Sequence, residues 1–169
     1  MTKTNLTVKE IALMGVMIAL LVVSVHIMAP LPNIEPVTLL VILYTLFFGK
    51  KVVYILASYI LLEGCWYGFG IWWVMYLYAW PLLSFLTYLL RKKKSVWCFA
   101  ILAGAFGLFY GALCSIPYFI VSGPAAGFGW WIAGIPYDII HCVSNFIICL
   151  VLFRPLNYVL QRVVSRTDF

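Results

Sequence analysis

Two groups of polar side chains interrupt an otherwise apolar chain, and their spacing suits ligand chemistry. Asp138, His141 and Asn145 stand at i, i+3 and i+7, so on a helix they share one stripe. Tyr59, Glu63 and Trp66, at i, i+4 and i+7, share another. A carboxylate, an imidazole and an amide on one face can hold a cation and direct hydrogen bonds in both senses. Ionisable groups within a membrane are costly and commonly mark a site or a path. Two readings of the first stripe stay open at this point: a ligand site, or a polar network that ties one helix to its neighbour. Glu63 has the same two-fold reading, as a ligand contact or as a residue among lipid headgroups.

Other chemistries lack their residues. His26 and His141 are the two histidines, with no HExxH motif, no paired histidine ligands and no nucleophile motif around a serine. No enzyme activity, cofactor or metal is therefore expected. There is no P-loop either, so any ATP hydrolysis must come from another chain. Cys65, Cys98, Cys114, Cys142 and Cys149 form no CxxC pair and read as packing thiols.

Aromatic residues crowd the same regions. Trp66, Tyr67, Trp72, Trp73, Tyr76, Tyr78, Trp80, Tyr118, Trp130, Trp131 and Tyr137 all fall near one predicted face, whereas the other carries mainly Trp97 and Tyr158. An interfacial belt accounts for any single one of them. The asymmetry points further, to a cavity whose walls stack on a flat ligand. Glu35, Glu63 and Asp138 are the charges near that face, with no Lys or Arg beside them. A flat heterocycle, neutral or cationic, is the expected ligand, with Asp138 the first choice for its charged partner and His141 and Asn145 giving hydrogen bonds.

The elements that must position these groups are transmembrane helices. The chain has 169 residues, 66% hydrophobic and 9% charged, and its mean hydropathy is +1.09. Soluble domains carry about 25% charged residues. The excess apolar surface must face lipid. Charges and prolines divide the chain into helices at about Glu10–Ala29, Val37–Gly49, Val52–Leu62, Trp72–Leu90, Val96–Val121 and Pro136–Phe153. Ser122–Gly134, rich in Gly and Pro, reads as a loop, and Leu156–Phe169 as an interfacial amphipathic tail. The first apolar run lacks a cleavage site and reads as a retained helix.

All eleven basic residues fall at alternate ends of these helices: Lys3 and Lys9, Lys50 and Lys51, Arg91 to Lys94, then Arg154, Arg162 and Arg166. By the positive-inside rule both termini are cytoplasmic. The net charge of +6 is then a topology signal beside anionic lipid, not a nucleic-acid surface. The reading is an all-α, single-domain bundle of six transmembrane helices covering residues 1–169.

Small residues form two stripes. Ala12, Gly15 and Ala19 lie on the first helix, and Ala100, Gly104, Gly107, Gly111 and Ser115 on the fifth. Such stripes let helices approach closely, within the chain or against a partner protein.

Length, six helices, Gly15-Val16-Met17-Ile18-Ala19, the stretch Asn33-Ile34-Glu35-Pro36-Val37-Thr38 and a short second helix ending Phe48-Gly49-Lys50 together carry a family likeness. The chain resembles the substrate-binding S component of energy-coupling factor (ECF) vitamin transporters over nearly all its length. In that family the first-helix motif is usually Ala-x-x-x-Ala, so Gly15 departs from it. The resemblance implies a multi-pass subunit of a bacterial cell membrane that captures a vitamin-like micronutrient in an outward-facing cavity. It implies docking through Ala12, Gly15 and Ala19 on a transmembrane coupling subunit that works with two ATPase subunits. Loops 1, 3 and 5 would cover the cavity and helices 4 to 6 supply most contacts. The implied ligand-binding set is Glu35, Glu63, Trp66, Trp72, Tyr76, Trp130, Tyr137, Asp138, His141 and Asn145. A stand-alone small secondary transporter is the alternative. Its ionisable residues would be expected nearer the midplane of several helices.

Overall fold

The structure is a computed structural model and describes residues 6–164. Among the described residues helix is the only regular structure: α1 (Val8–Met28), α2 (Val37–Phe48), a 3₁₀ turn (Gly49–Lys51), α3 (Val52–Tyr67), α4 (Ile71–Leu90), α5 (Val96–Leu108) and α6 (Tyr110–Val164). Four stretches among them, Val8–Met28, Val37–Tyr67, Ile71–Leu90 and Val96–Val164, are long and apolar enough to cross a membrane.

α2 is the hub. Apart from Leu46 and Phe47, its side chains are buried. A helix apolar all round needs cover on every side, and α1, α4 and α6 supply it. Its Thr45 is satisfied locally: Oγ1 donates to the Val41 carbonyl at 2.7 Å and lies 3.0 Å from Ser84 Oγ on α4.

α1 starts beside the reversal that carries Lys50 and Lys51. Thr7 and Glu10 form a capping box at the start of α1, with the Glu10 amide donating to Thr7 Oγ1 at 3.2 Å and the Thr7 amide to Glu10 Oε2 at 2.8 Å. Glu10 is buried and pairs with Lys51, at the reversal between α2 and α3. Gly49 makes that reversal in a left-handed conformation, φ 53°. At the far end of α1, His26 stacks on Tyr67 and meets Trp66 edge-on at the end of α3. These contacts at both ends make α1 and α3 run side by side in the same direction.

α3 continues a turn and a half beyond the expected stop at Leu62. Glu63 faces inward and is buried, so it does not end the helix. Gly64 keeps its turn open for neighbours: a Cβ there would fall 2.3 Å from the Phe69 ring and 2.6 Å from Trp73 Nε1. The chain turns at Gly68, φ 86°.

The expected loop at Ser122–Gly134 is helical except at Gly123 (φ 83°, ψ 173°). That one residue breaks α6 into two antiparallel arms, residues 110–122 and 124–164. Pro124 then opens the second arm, where its missing amide is harmless. Gly and Pro content suggested a loop, but one glycine suffices for the reversal. The arms are clamped by Tyr118 stacked on Trp130 at 4.2 Å and by Phe119 against Phe128 at 4.9 Å. α5 leads almost directly into the first arm, the Phe109 amide donating to Ala105 and its carbonyl accepting from Leu113.

α6 also passes the expected stop at Arg154-Pro155. Leu160 is buried, so residues 156–164 continue the packed helix and are not a separate tail. Lys3 and Arg166, used in the charge pattern, lie outside the described residues. All five cysteines are free thiols, Cys149 buried and Cys65 exposed.

Candidate ligand-binding site

A cavity of about 270 Å³ opens at the end of the bundle opposite Lys51, under the 29–36 connection between α1 and α2. That connection is shaped by its prolines and by Asn33, which takes φ 59°, a conformation asparagine tolerates. The Asn33 carbonyl accepts from Ser144 Oγ at 2.7 Å, which pins the connection to α6.

Glu35 follows, at the head of α2. Its carboxylate accepts from the Thr38 amide at 3.1 Å (Oε2) and from Thr38 Oγ1 at 2.7 Å (Oε1). The start of a helix favours a negative charge there. His141 Nε2 lies 3.2 Å from Glu35 Oε1, and Asn145 Nδ2 donates to Thr38 Oγ1 at 3.1 Å. The stripe on α6 thus meets the head of α2, and Glu35, Thr38, His141 and Asn145 form one network across 106 residues of sequence between Glu35 and His141.

The walls are aromatic. Tyr59 of α3 stacks near-parallel with Tyr76 of α4 at 6.1 Å. Trp80 sits edge-on to both, 5.6 Å from Tyr76 and 6.1 Å from Tyr59. Tyr110 meets Trp80 at 6.1 Å and His141 at 5.0 Å, closing the ring of side chains. Val25, Met28 and Val37 add apolar surface. Three polar atoms of lining residues, Tyr59 Oη, Trp80 Nε1 and His141 Nδ1, are buried with no hydrogen-bond partner among the described residues. Buried polar atoms are ordinarily paired, so the residues around the cavity carry hydrogen-bonding capacity that the described residues leave unused.

The sequence-derived residues divide into groups. Glu35, Tyr76 and His141 line the cavity. Asn145 is buried behind them in the same network, and Trp72 backs Tyr76 edge-on at 5.4 Å. Asp138 is buried between the arms of the α5–α6 hairpin, where its Oδ1 accepts the Gly111 amide at 2.8 Å; it is not in the cavity lining. Glu63 is buried on α3 outside the lining, with Oε1 unpaired. Trp66 is 71% exposed and packs on His26. Trp130 and Tyr137 are exposed along the hairpin. Tyr59 was visible as part of a polar face and Trp80 as one of many aromatics, but neither stood out as lining. Tyr110 carried no signal, being one tyrosine among eleven.

Comparison with known protein families, with curated proteins and with solved structures finds no match to this chain.

Proposed function

We propose that this chain is the substrate-binding subunit of an importer of the energy-coupling factor type, taking a vitamin-like heterocyclic micronutrient into the Glu35–His141–Tyr76 cavity. In this reading the chain crosses a bacterial cell membrane six times. α2 and α3 are two crossings joined at Gly49–Lys51, and the two arms around Gly123, the first prolonging α5, are two more. The end with Lys50 and Lys51 faces the cytoplasm and the cavity faces out.

The observation that carries the proposal is the pairing of a small, aromatic-walled, partly unsatisfied cavity at one end with an unused docking stripe on α1. Ala12, Gly15 and Ala19 are all exposed, and nothing lies within 4 Å of where a Gly15 Cβ would be. A close-approach motif left exposed by the described residues fits a partner helix. The partner would be a transmembrane coupling subunit carrying two ATPase subunits, since the chain has no nucleotide-binding motif of its own.

Affinity purification of the tagged chain from its native membrane tests the proposal. A larger membrane subunit and two ATPases should accompany the wild type and be lost from Gly15→Leu. A chain that purifies alone and catalyses uptake by itself in proteoliposomes would be a secondary transporter, and the proposal would fall.

A further inference from the structure

The polar groups of the cavity are unequal in kind, and that inequality says what they can hold. Glu35 is a carboxylate fixed in place by Thr38 and His141 and by its position at the head of α2. Its Oε2 accepts from the Thr38 amide alone among the described residues and keeps room for another donor. Among the described residues that line the cavity, Glu35 is the one carboxylate, and no Lys or Arg is present to balance it. An indole N–H can only donate, so the unpaired Trp80 Nε1 calls for an acceptor. His141 Nε2 faces Glu35; when that nitrogen carries the proton, Nδ1 is left an acceptor as well.

We infer that the cavity selects a compact heteroaromatic cation, its positively charged, donor-bearing edge on Glu35 and a ring acceptor turned toward Trp80 Nε1. This rests on the ligand-binding reading above and narrows it. The ring would lie among Tyr59, Tyr76 and Tyr110, whose faces attract cations as well as stack. An anionic ligand would meet Glu35 across a poorly screened interior with no Lys or Arg in the lining to offset the repulsion. Size narrows the class again. At about 270 Å³ the cavity sits just under the usual range of about 300–1,000 Å³ for ligand pockets, which suits one or two rings and excludes dinucleotides and long conjugates.

The test uses the full chain in detergent and ring-matched probes that differ in the sign of one substituent: pyridoxamine against 4-pyridoxate, and tryptamine against indole-3-acetate. Calorimetry and thermal stabilisation give the affinities. The amine of each pair should bind about tenfold tighter or more, the scale set by one charge-assisted hydrogen bond. Glu35→Gln should remove most of that preference. Trp80→Phe should weaken both members of the pyridine pair alike, since the indole pair has no ring acceptor, and leave the preference standing. A carboxylate member that binds as tightly as its amine in the wild type overturns the inference while leaving a ligand-binding subunit in place; so does a preference that survives Glu35→Gln. The wild-type ratio decides the matter even if a variant fails to fold. Failure of every probe to bind counts against the inference and the ligand-binding reading together.

Discussion

The two small-residue stripes look alike in the sequence and do opposite things in the fold. On the α5–α6 hairpin the small residues are consumed internally. A Cβ on Gly107 would fall 2.7 Å from the His141 backbone carbonyl, one on Gly104 3.3 Å from that of Cys142, and one on Gly111 2.4 Å from Asp138 Oδ2. On α1 the stripe of Ala12, Gly15 and Ala19 is exposed, and no described residue lies within 4 Å of where a Gly15 Cβ would be. The difference teaches that a close-approach motif reports a helix neighbour without saying whose helix it is. The hairpin stripe belongs to folding: it sets how closely α6 lies against α5, and so where His141 stands relative to Glu35. The α1 stripe contributes no such contact.

The largest effect that sharpens the contrast is at Gly107. Gly107→Leu must push against backbone, which cannot move aside as a flexible side chain would. Overpacking of this kind costs about 3 kcal/mol or more, and the variant should lose most of its folded yield and thermal stability in detergent. Gly111→Ala comes next. Its new methyl group displaces the Asp138 carboxylate and breaks its hydrogen bond to the Gly111 amide. A loss of about 1–3 kcal/mol is expected, read as a lowered unfolding midpoint. Asp138→Asn should be milder, within about 1 kcal/mol, because the amide oxygen still accepts from Gly111. Ligand affinity in Asp138→Asn should stay close to wild type, since the side chain lies between the hairpin arms; a large loss of affinity with unchanged stability would return Asp138 to the binding site. The smallest effect on stability belongs to Gly15→Leu, within about 0.5 kcal/mol as for other surface substitutions. If Gly15→Leu unfolds the chain as Gly107→Leu does, the two stripes are equivalent and the contrast collapses.

Much of the architecture was legible because it is written in periodicity and charge. Helix positions followed from apolar runs bounded by Lys50-Lys51 and Arg91 to Lys94, and the Asp138–His141–Asn145 stripe is the buried face of α6. Helix ends were less legible where a stop signal had a tertiary use. Glu63-Gly64 reads as polar and flexible, yet one side chain is buried and the other position is small to admit Phe69 and Trp73. The site was half legible for a related reason. Spacing along α6 says that three residues share a face, but a helical face wraps through a wide arc. It took the hairpin partner to turn Asp138 toward Gly111, and the head of α2 to draw His141 toward Glu35. Glu35 was marked by its charge. Tyr59, Trp80 and Tyr110 join it through packing between α3, α4 and α6, which no local pattern encodes.

Native mass spectrometry of the purified chain, beside Met28→Trp, shows whether the cavity holds a small molecule. Met28 lines the cavity and has no polar contact to lose, so a tryptophan there fills the space and spares the Glu35 network. The wild type should carry one small molecule per chain, released on unfolding, and Met28→Trp should be folded but empty. An identical small molecule retained by Met28→Trp, or a wild type that never takes one up from a mixture of micronutrients, would contradict a ligand site in this cavity.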